Sequence, residues 1–318
     1  MSRLVNGGIL GRSIFPNLNE KYLYLISYYK VYRVQLSNMS FIRIKSPTGA
    51  DTTSSSFFKA SPTESKIFMN HNNGLWYFNG SVWAQQTPDG LVTHNWWAGD
   101  MSNDGSVRAA GWTTGRLWLY LNGVWAEHQP YGNVDMKWGA GTIVVSGDGS
   151  TILVHAPTSA GGASKIYMYK NSQWTQVIPV AGDQYFGGLD INYDGSRYAI
   201  KAGNSGYIWN SSSWTNLGSI SSPIKFMDLV GTKYCFIYSY YTLKYFDGTT
   251  LNSVALGSGD YYNLAIMNSA CTVAVIGRWS NNSALRYSYA PFTTWTSFNP
   301  NGDTSSLYYE LLYTNKLT

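Results

Sequence analysis

GLWYFNGSVW, Gly74 to Trp83, sets four apolar residues in a row, then Asn-Gly, then a short run ending in Trp. Two apolar runs joined by Asn-Gly are the strongest short-range sign of a β-hairpin, because Asn and Gly tolerate the positive φ of a tight turn. The next 42 residues bring GRLWLYLNGVW, Gly115 to Trp125, with the same turn and the same closing residue. A motif that returns calls for a search along the whole chain.

That search finds SKIYMYKNSQW ending at Trp174, SGYIWNSSSW at Trp214, YTLKYFDGTTL at Leu251, ALRYSYAPFTTW at Trp295 and, upstream, YKVYRVQLSNMSF at Phe41. With Trp83 and Trp125 these give seven anchors, spaced 37 to 49 residues apart. A second marker keeps step with the first. MSNDGSVRAAG, VSGDGSTILVHA and INYDGSRYAIKA each put Asp-Gly between an apolar strand and an alternating one, and SPTESKIFM, LVGTKYCFI, MNSACTVAV and PNLNEKYLYLI fill the same slot more weakly. The distance from this turn to the next anchor is 19 to 25 residues in every period.

Each period therefore reads as strand a, an Asp-Gly turn, strand b, a loop, strand c, an Asn-Gly-like turn and strand d through the anchor. A four-stranded antiparallel unit of about 42 residues is a β-propeller blade. Alternation and strands of about five or six residues exclude a helical solenoid of similar period. The expected fold is all-β: one seven-bladed propeller over residues 1–318, with residues 1–16 as an N-terminal arm. The last strand, in SSLYYELLYTN, is expected to close the ring by completing the blade that residues 17–45 begin, which hides two strand edges. Gly105, Gly149 and Gly195 are expected to need positive φ, and Ala270 is read as the equivalent slot of the last period.

The turns Ser102-Asn103-Asp104-Gly105 and Ser146-Gly147-Asp148-Gly149 resemble the S-x-D-G turns of WD40-like and TolB-type propellers, and Asn192-Tyr193-Asp194-Gly195 varies the first position. The resemblance covers the whole chain as architecture and implies no single activity, since propellers host enzymes, lectins and scaffolds. The Gly-His and Trp-Asp dipeptides of WD40 repeats are missing, and the turns lack the extra residue of a sialidase Asp box. FIRIKSP, Phe41 to Pro47, is only faintly similar to the arginine motif of sialidases.

Composition agrees with the all-β reading: 26 Tyr, 13 Trp, 12 Phe and 32 Gly, with 12% charged residues. The net charge of +5 comes from residues scattered along the chain, without the basic cluster that nucleic-acid binding needs. Arg3 and Arg12 interrupt the apolar runs near the start, so no signal peptide or membrane insertion is expected and the chain is read as a soluble cytoplasmic product. Cys235 and Cys271 lack metal or redox spacing and read as buried free thiols. The low charge and the richness in Tyr, Trp, Gly, Ser and Asn are similar to bacteriophage virion proteins, tail and receptor-binding components in particular.

No catalytic residue, cofactor or metal site is expected. His71, His94, His128 and His155 are scattered without ligand spacing, and of four glutamates, Glu20 and Glu64 sit in turn slots. The informative residues lie in the loops. The d–a and b–c connections of a blade emerge on one face, the a–b and c–d turns on the other. The d–a connections carry Asp51, Asp89, Asp135, Asp183, Asp260 and Asp303, of which Asp89, Asp183 and Asp260 are candidate partner contacts. Their plain alternative is Asp/Gly turn geometry. Aromatic residues gather in the same loops: Trp96, Trp97, Tyr131, Tyr185, Phe186, Tyr261, Tyr262 and, in a b–c loop, Trp279. Large rings with polar tips suit carbohydrate and protein contacts, although one of each adjacent pair must alternate inward on strand a.

The expected function is a non-enzymatic binding or assembly module of a phage virion. Its expected partners are other virion proteins or a host-surface receptor or glycan, met through the d–a/b–c face, with Trp97, Tyr185, Tyr262 and Trp279 foremost. A soluble propeller lectin is the alternative, and a glycoside hydrolase a third reading. Loops as unlike as TPDGLVTHN and GSISSP favour asymmetric protein contact over repeated sugar pockets.

Overall fold

The computed structural model describes residues 22–27, 30–35, 38–44, 47, 57–61, 65–91, 94–112, 115–130, 132, 142–156, 165–177, 179, 186–257, 261–278, 285–298 and 308–313. Every element among them is a β-strand, and the strands form seven antiparallel sheets of four. Taken as blades from a to d, the first holds Tyr308–Tyr313, Tyr22–Ser27, Lys30–Gln35 and Ser40–Arg43. The second holds Phe58–Ala60, Ile67–His71, Gly74–Phe78 and Trp83–Gln86. Trp96–Met101, Arg108–Trp112, Leu117–Leu121 and Val124–His128 make the third, and Thr142–Val145, Thr151–Ala156, Lys165–Lys170 and Gln173–Val177 the fourth. The fifth has Phe186–Ile191, Tyr198–Ala202, Ser205–Trp209 and Trp214–Ser219. Lys225–Phe226, Tyr234–Tyr238, Thr242–Phe246 and Leu251–Ala255 form the sixth, and Tyr262–Met267, Val273–Arg278, Leu285–Tyr289 and Thr296–Phe298 the seventh.

The core is distributed as seven apolar clusters, each lying between two neighbouring blades. Tyr32 and Val34 of the first blade pack on Ile266, Val275 and Leu285 of the seventh, so the series returns on itself and the propeller is closed. Inner strands are apolar on both sides because both sides face another blade: Ile67–His71 is buried throughout, whereas the outer Val124–His128 is half in water. The C-terminal strand seals the ring as expected, with Leu23 opposite Tyr313 and Ser27 opposite Tyr308. Residues 1–16 lie outside the described residues.

The c–d hairpins that look alike in sequence turn in two ways. Leu121 pairs with Val124 around Asn122 and Gly123, a two-residue turn with φ of 52° and 87°. In GLWYFNGSVW, Phe78 pairs with Trp83 across four residues, and the Asn79 side-chain oxygen accepts the N–H groups of Ser81 and Val82. Asn210 and Asp247 do the same in the fifth and sixth blades. Each carboxyl or amide oxygen replaces a missing backbone partner inside the loop.

The a–b turns share a clasp centred on their first residue. The side-chain oxygens of Ser61, Ser102, Ser146, Asn192, Asp228 and Asn268 accept the N–H of the residue five positions on. Gly105, Gly149 and Gly195 have φ of 70°, 76° and 67°, as expected. The slot in the last period needs correcting by one residue: Cys271, with φ of 56°, occupies the glycine position, and its N–H reaches Asn268 O at 2.9 Å. Cys271 is half-buried and Cys235 buried, both as free thiols. Neighbouring turns are also joined: Asn103 N–H donates to Gly147 O, Asp148 N–H to Tyr193 O, and Tyr193 N–H to Leu229 O, at 2.8 to 2.9 Å. The a–b face is thus a hydrogen-bonded belt from the third blade to the sixth.

The opposite end of strand a is irregular. Its pairing with strand b slips between Trp96 and Ala98, between Gly187 and Leu189, and between Tyr262 and Leu264. These β-bulges leave Trp97, Gly188 and Asn263 as the extra residues, at the d–a entrance of the blade.

Candidate interaction face

The bulges decide where the loop aromatics point. Trp96 is 1% exposed, inside the cluster between the second and third blades, and Tyr262 is 0% exposed, its hydroxyl accepting a bond from Arg286 at 2.7 Å. The assignment of both to a contact surface is therefore corrected: each is the member of its pair that packs between blades. Their partners stay outward, Trp97 half-exposed and Tyr261 at 57%. Phe186 opens strand a of the fifth blade opposite Ala202. Tyr131, Tyr185, Trp279, Asp183 and Asp260 lie outside the described residues, as do Asp51, Asp135 and Asp303.

Asp89 is described, and its carboxylate has two partners. It accepts Leu91 N–H at 3.1 Å and lies 2.6 Å from His94 Nε2. The His94 ring sits 3.8 Å, centroid to centroid, from Trp112, and the Arg116 guanidinium lies 5.6 Å from the same indole while pairing with Glu127 at 3.2 Å. Asp89 thus works within its loop, as turn geometry suggested, and anchors a histidine against the third blade.

Two further aspartates, Asp100 and Asp190, stand on strand a at matching positions. Asp100 accepts Val145 N–H at 2.8 Å from the fourth blade and pairs with Lys59 of the second at 3.1 Å; Asp190 accepts Phe226 N–H at 2.7 Å from the sixth. These carboxylates join blade to blade.

Among the described residues, three exposed tyrosines form a group that the sequence only partly announces. Tyr240 and Tyr241, in the b–c turn of the sixth blade, meet Tyr261 of the next d–a connection; the three are 44%, 37% and 57% exposed. Ring centroids lie 5.4 Å apart for Tyr240 and Tyr261, and 5.7 Å for Tyr241 and Tyr261. The neighbouring Tyr261 phenol raises the Tyr241 pKa. Ser239 and Tyr240 have φ of 49° and 63°, where the second blade has Asn72 and Asn73 at 48° and 62°. A bulky residue in this region is strained, and such strain persists only where surrounding bonds hold it. Here Tyr240 N–H donates to Ser221 Oγ at 2.9 Å, Tyr262 N–H to Tyr240 O at 3.1 Å, and Leu256 N–H to Tyr241 O at 2.8 Å. The available signal was Ser-Tyr-Tyr in a slot where sister blades place Asn-Asn or Gly-Asn.

Beside this turn, Lys201 Nζ is 3.5 Å from Ser221 O, and burial lowers its pKa from the ordinary lysine value. On the opposite face the belt carries Tyr193 and Val230 as exposed apolar residues, 42% and 62%. Among the described residues, no group of three or more His, Cys, Asp or Glu is placed to hold a metal ion, and no helix is long and apolar enough to cross a membrane.

No family model matches the chain, and no curated protein matches it. Among solved structures it is similar to dihydro-heme d1 dehydrogenase NirN in complex with DHE, at 11% identity and a TM-score of 0.49, over 97% of this chain and 78% of that one. A likeness at that distance carries no argument about activity, and the propeller stands on the seven sheets themselves.

Proposed function

We propose that this protein is a non-enzymatic binding and assembly module that meets its partner through the d–a/b–c face. The observation that carries this reading is the Tyr240, Tyr241 and Tyr261 group: two exposed rings on a strained turn that three hydrogen bonds hold in place, and a third from the next d–a connection packed against them. Exposed tyrosines supply large contact area with few rotatable bonds, and a fixed backbone lowers the ordering cost of association. The a–b face differs in kind, since its turns are bonded to one another and its shape is set by the ring. Low charge with abundant Tyr, Trp, Gly, Ser and Asn supports a setting in a bacteriophage virion, as a tail, fibre or receptor-binding component.

A photo-crosslinking amino acid placed at Tyr261, and in a second variant at Tyr193, tests the assignment in assembled particles. Adducts to a particle or host-surface component from position 261 and none from 193 are expected. The reverse pattern overturns the choice of face, and absence of the chain from purified virions overturns the setting. Tyr261→Ala is expected to weaken attachment by about 2 kcal/mol, roughly thirtyfold, without unfolding the ring.

A further inference from the structure

Resting on that reading of the face, we infer that the tyrosine group and Lys201 together form a binding site for a carboxylate-bearing saccharide. Lys201 and the strained turn are both neighbours of Ser221. The backbone oxygen of Ser221 is the contact of Lys201 Nζ at 3.5 Å, and its hydroxyl accepts Tyr240 N–H at 2.9 Å. Ser221 thus joins the ammonium group to the backbone of the aromatic turn. A 3.5 Å contact to a neutral carbonyl is at the outer limit of a hydrogen bond and engages one of three donors. Among the described residues Lys201 makes no ion pair, and burial lowers the pKa of its amine. A ligand carboxylate would take the remaining donors of this ammonium group.

The rings favour a sugar as the carrier of that carboxylate. A peptide binding to a loop takes main-chain hydrogen bonds or inserts side chains into pockets. In this turn the carbonyls of Tyr240 and Tyr241 already accept Tyr262 N–H and Leu256 N–H, and the Tyr240 N–H is bound to Ser221. What is offered outward is ring face and phenol hydroxyl, which matches the C–H faces and hydroxyl rim of a pyranose. Tyr240 at a φ that its sister turn gives to Asn73 is strain with a use, since it presents a ring where Asn would present none.

Calorimetric titration of the full chain with oligogalacturonate, oligomannuronate and sialyllactose tests this, beside the carboxyl-reduced neutral form of each. Binding of at least one acidic sugar, at least tenfold tighter than its reduced form, is expected. Lys201→Met should abolish that preference, and Tyr261→Ala should lower affinity at least tenfold. Tyr240→Asn keeps a residue that suits the turn, so it should retain thermal stability while losing affinity, separating binding from folding. Equal affinity for acidic and reduced sugars overturns the role of Lys201. No binding to any of the sugars at millimolar concentration overturns the saccharide, and if position 261 still crosslinks to a protein in particles, the choice of face stands while this inference falls.

Discussion

Gly195→Ala isolates the geometry on which each a–b turn depends. Gly195 sits at φ of 67°, and a methyl group there would run into Thr151 Oγ1 and Cβ of the fourth blade, a residue 0% exposed. Left-handed backbone costs an L-residue about 1–2 kcal/mol, and forcing an extra carbon into a packed interface adds about 1–3 kcal/mol. Gly123→Ala is the control: φ is 87° and nothing lies within 4 Å of the added carbon, so only the backbone cost applies. For a chain of 318 residues, 1 kcal/mol corresponds to about 1.5 °C in melting temperature, giving a loss of roughly 3–7 °C at Gly195 and roughly 1.5–3 °C at Gly123. Differential scanning calorimetry, with urea titration to confirm that the transition stays cooperative, reads both. Equal losses would refute the view that these turns pack against the neighbouring blade, and no loss at either would refute the positive φ.

Deleting residues 305–318 removes the strand that pairs with Tyr22–Ser27, and aggregation or a large fall in melting temperature is expected; full solubility with an unchanged transition would sink ring closure by this strand. Burial holds the His155 imidazole down to about 4 against 6.5, so the unfolded chain takes up the proton first and stability falls as pH drops from 6.5 towards 4. Its full contribution is about 3 kcal/mol, and burial lowers His71 and His128 in the same sense; a urea midpoint series in which His155→Leu keeps the wild-type pH slope would contradict this. Arg108, 4% exposed, has its guanidinium 4.1 Å from the Tyr77 ring centre and 3.6 Å from that of Tyr120, and it donates to Gly105 O at 2.8 Å. Arg108→Lys is expected to lose about 1–3 kcal/mol, because an ammonium cannot stack as a plane; a wild-type melting curve would show that the stacking contributes nothing.

The blades were legible because their signals are local. A hairpin is announced by its turn residues within ten positions, a strand by its own alternation, and seven periods of both in phase leave one closed architecture. The site was legible only in part. Tyr261 was found because aromatic residues stand out in a d–a loop, whereas Tyr240 and Tyr241 were hidden in a b–c slot whose neighbours looked like ordinary turn. The extra Ser in GLWYFNGSVW likewise changed a two-residue turn into one of four, a difference of side-chain hydrogen bonding that the shared Asn-Gly does not announce.

Chain order, turn chemistry and the pattern of anchors were therefore determined by the sequence by itself, since each depends on residues close together in the chain. Tertiary structure decided which ring of each adjacent pair faces the solvent. Alternation assigns opposite sides to Trp96 and Trp97, or to Tyr261 and Tyr262, but does not say which is inside, and the bulges at the start of strand a break the period of two at that point. Trp96 and Tyr262 went inward because a neighbouring blade was there to cover them, and the meeting of Tyr240 and Tyr241 with Tyr261 exists only because the sixth blade's b–c turn is set beside the connection into the seventh.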